Sequence, residues 1–204
     1  QESYYFVSAD GASERLLLPA VEGGFRSFGD ISGDGTEAVF SSTERNGLDF
    51  DIYKADLTTG ETEMLFEGTF GYFARSISPD RKYAIVIETV GEDSDNLYLL
   101  DIETKEMTTL SAPEPRANHG DGGFAWLPDS SGFYFSSNVD RELSVVHFYD
   151  LAAGEISIYH SRLTQQVSSF EFHIVELDQT VARLREQLQW RRLKRVGWFV
   201  LILI

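Results

Sequence analysis

A phrase that recurs three times constrains this chain more than any other feature. Each copy is an aspartate-containing turn followed by an apolar run, and the copies are Ile31–Asp34 into Ala38–Ser42, Ile77–Asp80 into Ala84–Ile87, and Trp126–Asp129 into Gly132–Ser137. The turn aspartates Asp34, Asp80 and Asp129 are 46 and 49 residues apart. A period of about 40 to 50 residues with several short strands is typical of a β-propeller.

A second recurring phrase is a strand that ends in aspartate and leads into a turn. Its copies end at Asp56, Asp101 and Asp150, which are 45 and 49 residues apart. Aspartate accepts hydrogen bonds from backbone amides two residues further on, and glycine supplies positive φ, so both phrases predict tight turns. The runs between the turns are rich in aromatic and β-branched residues, which favours strands packed on both faces. Each repeat is therefore predicted to be an antiparallel sheet of about four strands.

The first residues fit the same repeat, because Tyr5–Gly11 leads into Glu14–Leu18 as the last hairpin of a repeat would. We therefore predict an all-β fold over residues 1–160, a partial β-propeller of about three and a half four-stranded blades. The chain is interpreted as a fragment that begins within a blade, or as a processed product.

Three tyrosines are assigned to equivalent positions of the repeat: Tyr53, Tyr98 and Tyr149. Each is predicted to be mostly buried between blades. Replacing any one of them by alanine should then lower the free energy of unfolding by about 3 kcal/mol or more, because aromatic burial is lost.

Charge divides the chain into two parts. Residues 1–160 contain 10 Lys and Arg and 29 Asp and Glu, a net charge of −19, whereas residues 161–204 have a net charge of +3. So acidic a surface repels phosphates, and we expect no nucleic-acid partner. The chain has no cysteine, which excludes disulfides, thiolate metal sites and cysteine catalysis. It leaves the localisation open between the periplasm and the cytoplasm of a bacterial-type cell.

Residues 161–204 follow another pattern. Apolar residues that step by three or four positions predict a C-terminal α-helix, and they are Ile174, Leu177, Val181, Leu184 and Leu188. The basic cluster that begins at Arg191 and the uncharged run 196–204 follow. Nine apolar residues are too few to span a bilayer, which needs about 20.

Three interpretations of this tail remain open. In the first, the tail is the first half of a transmembrane helix. In the second, it is an amphipathic helix that contacts a membrane through residues 191–204 or covers a blade edge. In the third, it is a segment unrelated to the propeller, such as the product of a shifted reading frame. We favour the last, because Val167–Phe170 resembles the opening of a fourth blade that does not continue.

Signs of chemistry are few. The sequence has no Gly-x-Ser-x-Gly elbow and no glycine-rich phosphate loop before a helix, so we assign no catalytic, cofactor-binding or metal-binding residue. Gly120–Gly123 is interpreted as a loop between blades that precedes the strand Phe124–Trp126. The histidines lack metal-type spacing and are interpreted as strand or loop residues; they are His119, His147, His160 and His173.

Two acidic runs, Asp49–Asp51 and Glu92–Asp95, are placed in hairpins between strands. Clustered carboxylates can bind calcium, but both runs lack the full set of ligands of a known calcium loop, and a structural role is favoured. Glu92 and Asp93 also suit a cationic group such as a peptide amine. Arg141 and Glu142 are placed in a loop that could face a central channel, with no role assigned.

The repeats resemble those of known propellers. Ile77–Asp80, Trp126–Ser136 and Asp51–Glu61 look like TolB-type repeats, and with Phe25–Asp30 they are more similar still to the N-terminal propeller of the prolyl oligopeptidase (S9) family of serine peptidases. The resemblance covers roughly residues 3–160. It implies a non-catalytic propeller that gates and scaffolds peptide access to an α/β-hydrolase domain. That domain carries the catalytic Ser, Asp and His, so no catalytic residue or cofactor is transferred to this chain.

Two classes of function remain. In the first, the chain is the propeller portion of an S9-type peptidase, and its partners are the hydrolase domain or peptides. In the alternative, it is a TolB-like module that binds protein partners and has no enzyme attached. A third and less favoured interpretation is a propeller that is anchored to a membrane through its C-terminal helix. A hydrolase domain encoded after the last blade of the parent gene would support the first class, and termination after six blades would support the second.

Overall fold

The computed structural model of the chain describes residues 3–159. These residues form fourteen β-strands, and they contain no helix. The strands make one two-stranded and three four-stranded sheets with antiparallel neighbours. The all-β prediction is therefore confirmed for this part of the chain. The predicted C-terminal helix and the segment Val167–Phe170 lie outside the described residues.

An N-terminal hairpin comes first in the chain. Strand β1 (Tyr4–Val7) pairs with β2 (Glu14–Leu18). In the turn between them, the backbone N–H of Ala12 donates to Asp10 Oδ1 over 3.0 Å. The hairpin predicted for the first residues is therefore confirmed.

Three four-stranded sheets follow, each built from strands that are consecutive in the chain. Sheet I contains β3 (Arg26–Ile31), β4 (Glu37–Ser42), β5 (Asp51–Asp56) and β6 (Thr62–Phe66). Sheet II contains β7 (Tyr72–Ile77), β8 (Tyr83–Gly91), β9 (Ser94–Asp101) and β10 (Met107–Ser111). Sheet III contains β11 (His119–Trp126), β12 (Gly132–Ser137), β13 (Val145–Asp150) and β14 (Glu155–Ile158).

The repeated aspartates close the turns as predicted. After the first strand of each sheet, the backbone N–H two residues beyond the aspartate donates to it, at 3.2 Å for Asp34, 3.3 Å for Asp80 and 3.0 Å for Asp129. The strand-ending aspartates each accept from the N–H groups two and three residues further on; they are Asp56, Asp101 and Asp150. Both recurring phrases are therefore self-contained turns.

The residue after the first turn aspartate adopts positive φ in every sheet. Gly35 has φ +72°, and its counterparts Arg81 and Ser130 have φ 63° and 61°. A non-glycine residue tolerates this conformation only at a cost of about 1 kcal/mol. At both positions the side chain reaches the preceding sheet: Arg81 Nη1 donates to Asp34 Oδ2 over 3.2 Å, and Ser130 Oγ accepts from Asp80 N over 3.0 Å.

Apolar side chains fill the spaces between successive layers. One cluster joins the N-terminal hairpin to sheet I, a second joins sheets I and II, and a third joins sheets II and III. Strands β4 and β8 are buried on both faces because each lies inside its own sheet and between two layers. Representative fully buried members are Phe40, Ile52, Ile85 and Phe133.

The assignment of three equivalent tyrosines is wrong for one of them. Tyr53 and Tyr98 each lie three residues before a strand-ending aspartate, whereas Tyr149 lies one residue before Asp150, and His147 occupies the tyrosine position in sheet III. Tyr53 and Tyr149 are each 6% exposed. Tyr98 is only half-buried, because its hydroxyl is directed at Glu88.

Candidate functional site

Strand direction gives the described region two ends. The first and third strands of each sheet begin at one end, which also carries the connections between sheets; we call it the connection end. Its loops cover residues 19–25, 43–50, 67–71, 92–93, 112–118 and 138–144. The opposite end carries the repeated aspartate turns, and we call it the turn end.

An ion pair between a partly exposed arginine and a buried aspartate holds the connection between sheets I and II. Asp51 lies at the start of β5, and its side chain is fully buried. Arg45 Nε and Nη2 donate to its two carboxylate oxygens over 2.8 and 3.0 Å. Gly68 N donates to Asp51 Oδ1 over 2.9 Å, and Gly68 O accepts from Arg45 Nη2 over 3.2 Å.

This geometry corrects the interpretation of the first acidic run. Asp51 is a strand residue and not a hairpin residue, because β5 begins there. Its oxygens are already occupied by the guanidinium and by a backbone N–H. The bond to Asp51, with desolvation acting against it, raises the pKa of the Arg45 guanidinium above its ordinary value. The carboxylate therefore closes the connection, as the favoured structural role requires.

Asp95 lies at the corresponding connection between sheets II and III. It belongs to β9 and is 6% exposed, so its placement in a hairpin loop is wrong, because β9 begins at Ser94. The backbone N–H and the ring Nδ1 of His119 both lie 2.9 Å from Asp95 Oδ1. The other ring nitrogen, Nε2, lies 2.9 Å from Ser111 Oγ. Three side chains thus form a continuous hydrogen-bonded series, Asp95–His119–Ser111.

The sequence carries no signal for this series. The three residues come from the third strand of sheet II, the fourth strand of sheet II and the first strand of sheet III, and no motif spacing relates them. His119 was expected to be a strand or loop residue, and it is the first residue of β11. Only the packing of one sheet on the next brings the series together.

A further polar cluster lies near the connection end of sheet II. Glu88 Oε2 accepts from the Tyr98 hydroxyl over 2.6 Å and from Asn96 Nδ2 over 3.0 Å. Burial opposes the ionisation of Glu88, but these donors hold the pKa of its carboxyl below the ordinary value. Burial and the neighbouring carboxylate in turn raise the pKa of Tyr98.

Large apolar side chains are exposed in the connection-end loops. Four of them are between 63% and 76% exposed: Phe25, Leu48, Phe70 and Leu143. Each follows or precedes a different strand, and together they come from sheets I, II and III. They are the four most exposed large apolar side chains in residues 3–159.

The remaining candidates take up ordinary positions. Gly120–Gly123 lies within β11 and not in a loop, and the pairing register shifts between His119 and Phe124 to accommodate it. His147 lies in β13, 7% exposed, and stacks on Phe135 with ring centroids 5.4 Å apart. Arg141 and Glu142 are exposed in a connection-end loop. His160 and His173 lie outside the described residues.

Within residues 3–159, no three His, Asp or Glu side chains are grouped so that they could hold a metal ion. The same residues include no helix that is long and apolar enough to cross a membrane. These findings concern only this part of the chain.

Two sequence relatives are both named dipeptidyl-peptidase 5, which is an S9 family peptidase. The chain is 30% identical over 125 residues to the protein of Porphyromonas gingivalis, a match that covers 56% of this chain and 18% of the relative. It is 41% identical over 81 residues to the protein of Porphyromonas endodontalis, covering 34% and 12% respectively. The match thus spans less than a fifth of either relative. No family model matches the chain.

Among solved structures, the fold is similar to TolB from Acinetobacter baumannii. The TM-score is 0.58 at 19% sequence identity, over 76% of this chain and 37% of TolB. At that identity the match speaks for the fold alone, and it agrees with the predicted propeller repeats. Together with the dipeptidyl-peptidase 5 matches, it confirms that the described residues resemble the TolB-like propeller region of S9 serine peptidases.

Proposed function

We propose that residues 1–160 are the non-catalytic propeller portion of an S9-type serine peptidase, which gates and scaffolds peptide access to a hydrolase domain of the same protein. The observation that carries the proposal is the 30% identity over 125 residues to a dipeptidyl-peptidase. The activity itself would belong to the hydrolase domain, since no catalytic residue of that family is assigned in this chain.

In this proposal the three four-stranded sheets are complete blades. The N-terminal hairpin supplies the third and fourth strands of another blade, which gives about three and a half blades. Residues 161–204 form a separate segment, and the predicted helix belongs to it. The position of the hairpin in the chain supports this arrangement. The antiparallel pair β1 and β2 directly precedes sheet I, just as the pair β5 and β6 directly precedes sheet II.

We propose that the connection end faces the hydrolase domain. Its loops expose Phe25, Leu48, Phe70 and Leu143, and their burial against another domain would be favourable. The turn end offers a contrasting surface, because its repeated turns expose hydrogen-bonded aspartates. Domain interfaces gain most of their energy from a few buried apolar anchors, so these four side chains are the expected anchors.

The test begins with the parent gene. If a hydrolase domain with a Gly-x-Ser-x-Gly elbow is encoded beside this segment, that domain is produced separately and titrated into the 204-residue chain in sedimentation-velocity experiments. We expect a one-to-one complex whose dissociation constant rises about tenfold or more in Phe70→Asp and Leu143→Asp variants. Val7→Asp is the matched control, because Val7 is an apolar residue 55% exposed on β1 next to a turn-end hairpin loop.

The alternative is a TolB-like propeller that binds other proteins without an attached enzyme. The fold similarity to TolB is compatible with it. If the parent gene ends after six blades and encodes no Gly-x-Ser-x-Gly motif in any frame, the peptidase proposal is wrong and this alternative takes its place. A complex with the hydrolase domain that Val7→Asp weakens and Phe70→Asp does not would overturn the assignment of the docking end only.

A further inference from the structure

The Asp95–His119–Ser111 series has the arrangement that activates a serine for nucleophilic attack. Ser111 Oγ lies 2.9 Å from His119 Nε2, and His119 Nδ1 lies 2.9 Å from Asp95 Oδ1. A nucleophile bonded to a base that a third group orients is the general signature of covalent catalysis. The series is separate from the peptidase activity that is assigned above to a hydrolase domain, and it uses none of the residues proposed to dock that domain.

The contacts of the imidazole define its tautomer. Nδ1 lies within hydrogen-bond distance of two acceptors, Asp95 Oδ1 at 2.9 Å and the Asp95 carbonyl oxygen at 3.1 Å. A ring nitrogen between two acceptors carries the proton in the neutral imidazole. In the neutral imidazole, Nε2 is then the acceptor of the Ser111 hydroxyl, which is the arrangement that a general base requires.

The base and the group that orients it are buried, whereas the serine is partly exposed. His119 is 3% exposed and Asp95 is 6% exposed, so water is kept from the base and from the group that orients it. Ser111 is partly exposed. It is the last residue of β10, the outer strand of sheet II, whose other edge pairs with no strand of the described region. Ser111 is therefore the member of the series that is most open to solvent.

Other serines of the described region are bonded differently. Ser32, Ser78 and Ser131 each donate to a turn aspartate, at 2.7, 2.7 and 2.6 Å, and a carboxylate at a solvent-exposed turn is a poor base for a hydroxyl. The second buried histidine, His147, is bonded through Nδ1 to the carbonyl oxygen of Val145 over 3.2 Å.

We propose that Ser111 is an activated nucleophile that accepts an acyl group from small activated esters and a phosphonyl group from fluorophosphonates. In the first step a bond forms between Ser111 Oγ and the carbonyl carbon, and the hydroxyl proton passes to His119 Nε2. The bond from carbon to the leaving oxygen breaks, and the imidazolium returns the proton to the departing alcohol. With a fluorophosphonate, a bond from Oγ to phosphorus forms, the phosphorus–fluorine bond breaks and fluoride leaves, while the hydroxyl proton passes to His119 Nε2.

The test is labelling of the full 204-residue chain with a biotinylated fluorophosphonate, followed by intact-mass measurement and peptide mapping. We expect one adduct, on Ser111. Ser111→Ala should abolish it, and His119→Gln should slow it about 100-fold or more, because the general base is removed. Ser157→Ala is the matched control, since Ser157 is an exposed serine on β14, the outer strand of sheet III, and its variant should label normally.

A second measurement covers the case in which His119→Gln fails to fold. A thiol beside an imidazole ionises at lower pH than an isolated thiol. The rate of iodoacetamide alkylation of a Ser111→Cys variant should therefore rise at a pH about one unit or more below that of a Ser157→Cys variant. A folded chain that gives no Ser111 adduct, together with equal pH profiles for the two cysteine variants, would overturn the proposal and leave the series a purely structural contact.

Discussion

The two ends of the described region are built in different ways. At the turn end, the same few residues form the same local hydrogen bonds in every sheet, and donor and acceptor are two or three residues apart. At the connection end, each junction joins groups that are distant in sequence. A backbone N–H donates to a buried aspartate at both junctions, from Gly68 to Asp51 and from His119 to Asp95, but the charged or ring partner of the carboxylate differs, Arg45 in the first and the His119 imidazole in the second. The turn end thus defines the repeat, and the connection end makes one repeat differ from the next.

This difference predicts where substitutions have the largest effects. A turn contact is short-range, exposed and present several times, so losing one copy leaves the others intact. A junction contact is buried, so its loss leaves an uncompensated group inside the protein.

The largest effect is expected when the ion pair between sheets I and II is broken. Arg45→Met leaves the fully buried Asp51 carboxylate without its guanidinium, and the free energy of unfolding should fall by more than in the Tyr53→Ala variant. Urea denaturation followed by circular dichroism measures the change. Arg75→Met is the matched control, because Arg75 is exposed. Equal losses in both variants would show that the junction has no special role.

The next largest effect is expected in the apolar cluster that joins the N-terminal hairpin to sheet I, where Tyr53 lies. Tyr53→Ala should lower the free energy of unfolding by about 3 kcal/mol, because Tyr53 is 6% exposed and stacks on Phe40 with ring centroids 5.4 Å apart. Burial also raises the pKa of its hydroxyl to about 12. The corresponding Tyr98→Ala change should cost less, since Tyr98 is only half-buried. A larger loss for Tyr98 in the same denaturation experiment would contradict this ranking.

Two glycine substitutions compare the packed interface between sheets I and II with the turn end. A Cβ added at Gly29 would lie 2.7 Å from the carbonyl oxygen of Ala74 in sheet II and 2.8 Å from that of Val39, and both are backbone atoms. Gly29→Ala should therefore destabilise the chain by about 2 kcal/mol. A Cβ at Gly33, in a turn-end loop, would meet no atom within 4 Å, so Gly33→Ala should change the thermal midpoint little.

A single turn aspartate should matter least. Asp56→Ala removes the acceptor of the Thr58 and Thr59 N–H groups, but both can bond to water instead. We expect a fall in thermal midpoint clearly smaller than that of Tyr53→Ala, measured by differential scanning calorimetry. A loss as large as that of Tyr53→Ala would contradict the view that turn contacts are local and redundant.

The stability of the chain should depend on pH through different groups, His147 in a buried strand position and Asp34 at the turn end. Burial lowers the pKa of His147 below its ordinary value of 6.5, so the unfolded chain binds a proton first, and stability should fall as the pH drops below about 6.5. The hydroxyls of Ser32 and Thr36 lower the pKa of Asp34 to about 2, so its contribution is present above about pH 4 and is lost as the pH falls through about 2.

Denaturation midpoints at several pH values would check both losses. A His147→Phe variant should remove the part of the loss that occurs between pH 7 and 5, and leave the loss at lower pH unchanged. A wild-type profile that is flat down to pH 4 would contradict the assignment to His147.

The sequence predicts the fold well because the fold depends on local signals. Aspartate turns and strand-forming runs are short, and their spacing of 45 to 49 residues reports the repeat directly. The tyrosine alignment failed in sheet III because strands alternate sides with a period of two. Tyr149 therefore lies on the same face of β13 as His147, although it is two positions further along. As an aromatic residue near a strand-ending aspartate, it was aligned with Tyr53 and Tyr98 in place of His147.

The candidate site was not predictable in the same way. Asp51 and Asp95 were recognised as acidic residues, but their partners Arg45 and His119 are set by sheet order and by the packing of neighbouring sheets. Exposure of Phe70 and Leu143 likewise depends on which loops meet at one end. Such non-local relations leave no spacing in a single sequence.

Hydrogen–deuterium exchange of this chain, with and without the hydrolase domain that the proposed function requires, is the measurement that bears most directly on the docking end. We expect slower exchange in the connection-end loops 43–50, 67–71 and 138–144 when that domain is bound, and unchanged exchange in the aspartate turns. Protection confined to the turn end, or none at concentrations that saturate binding, would contradict it.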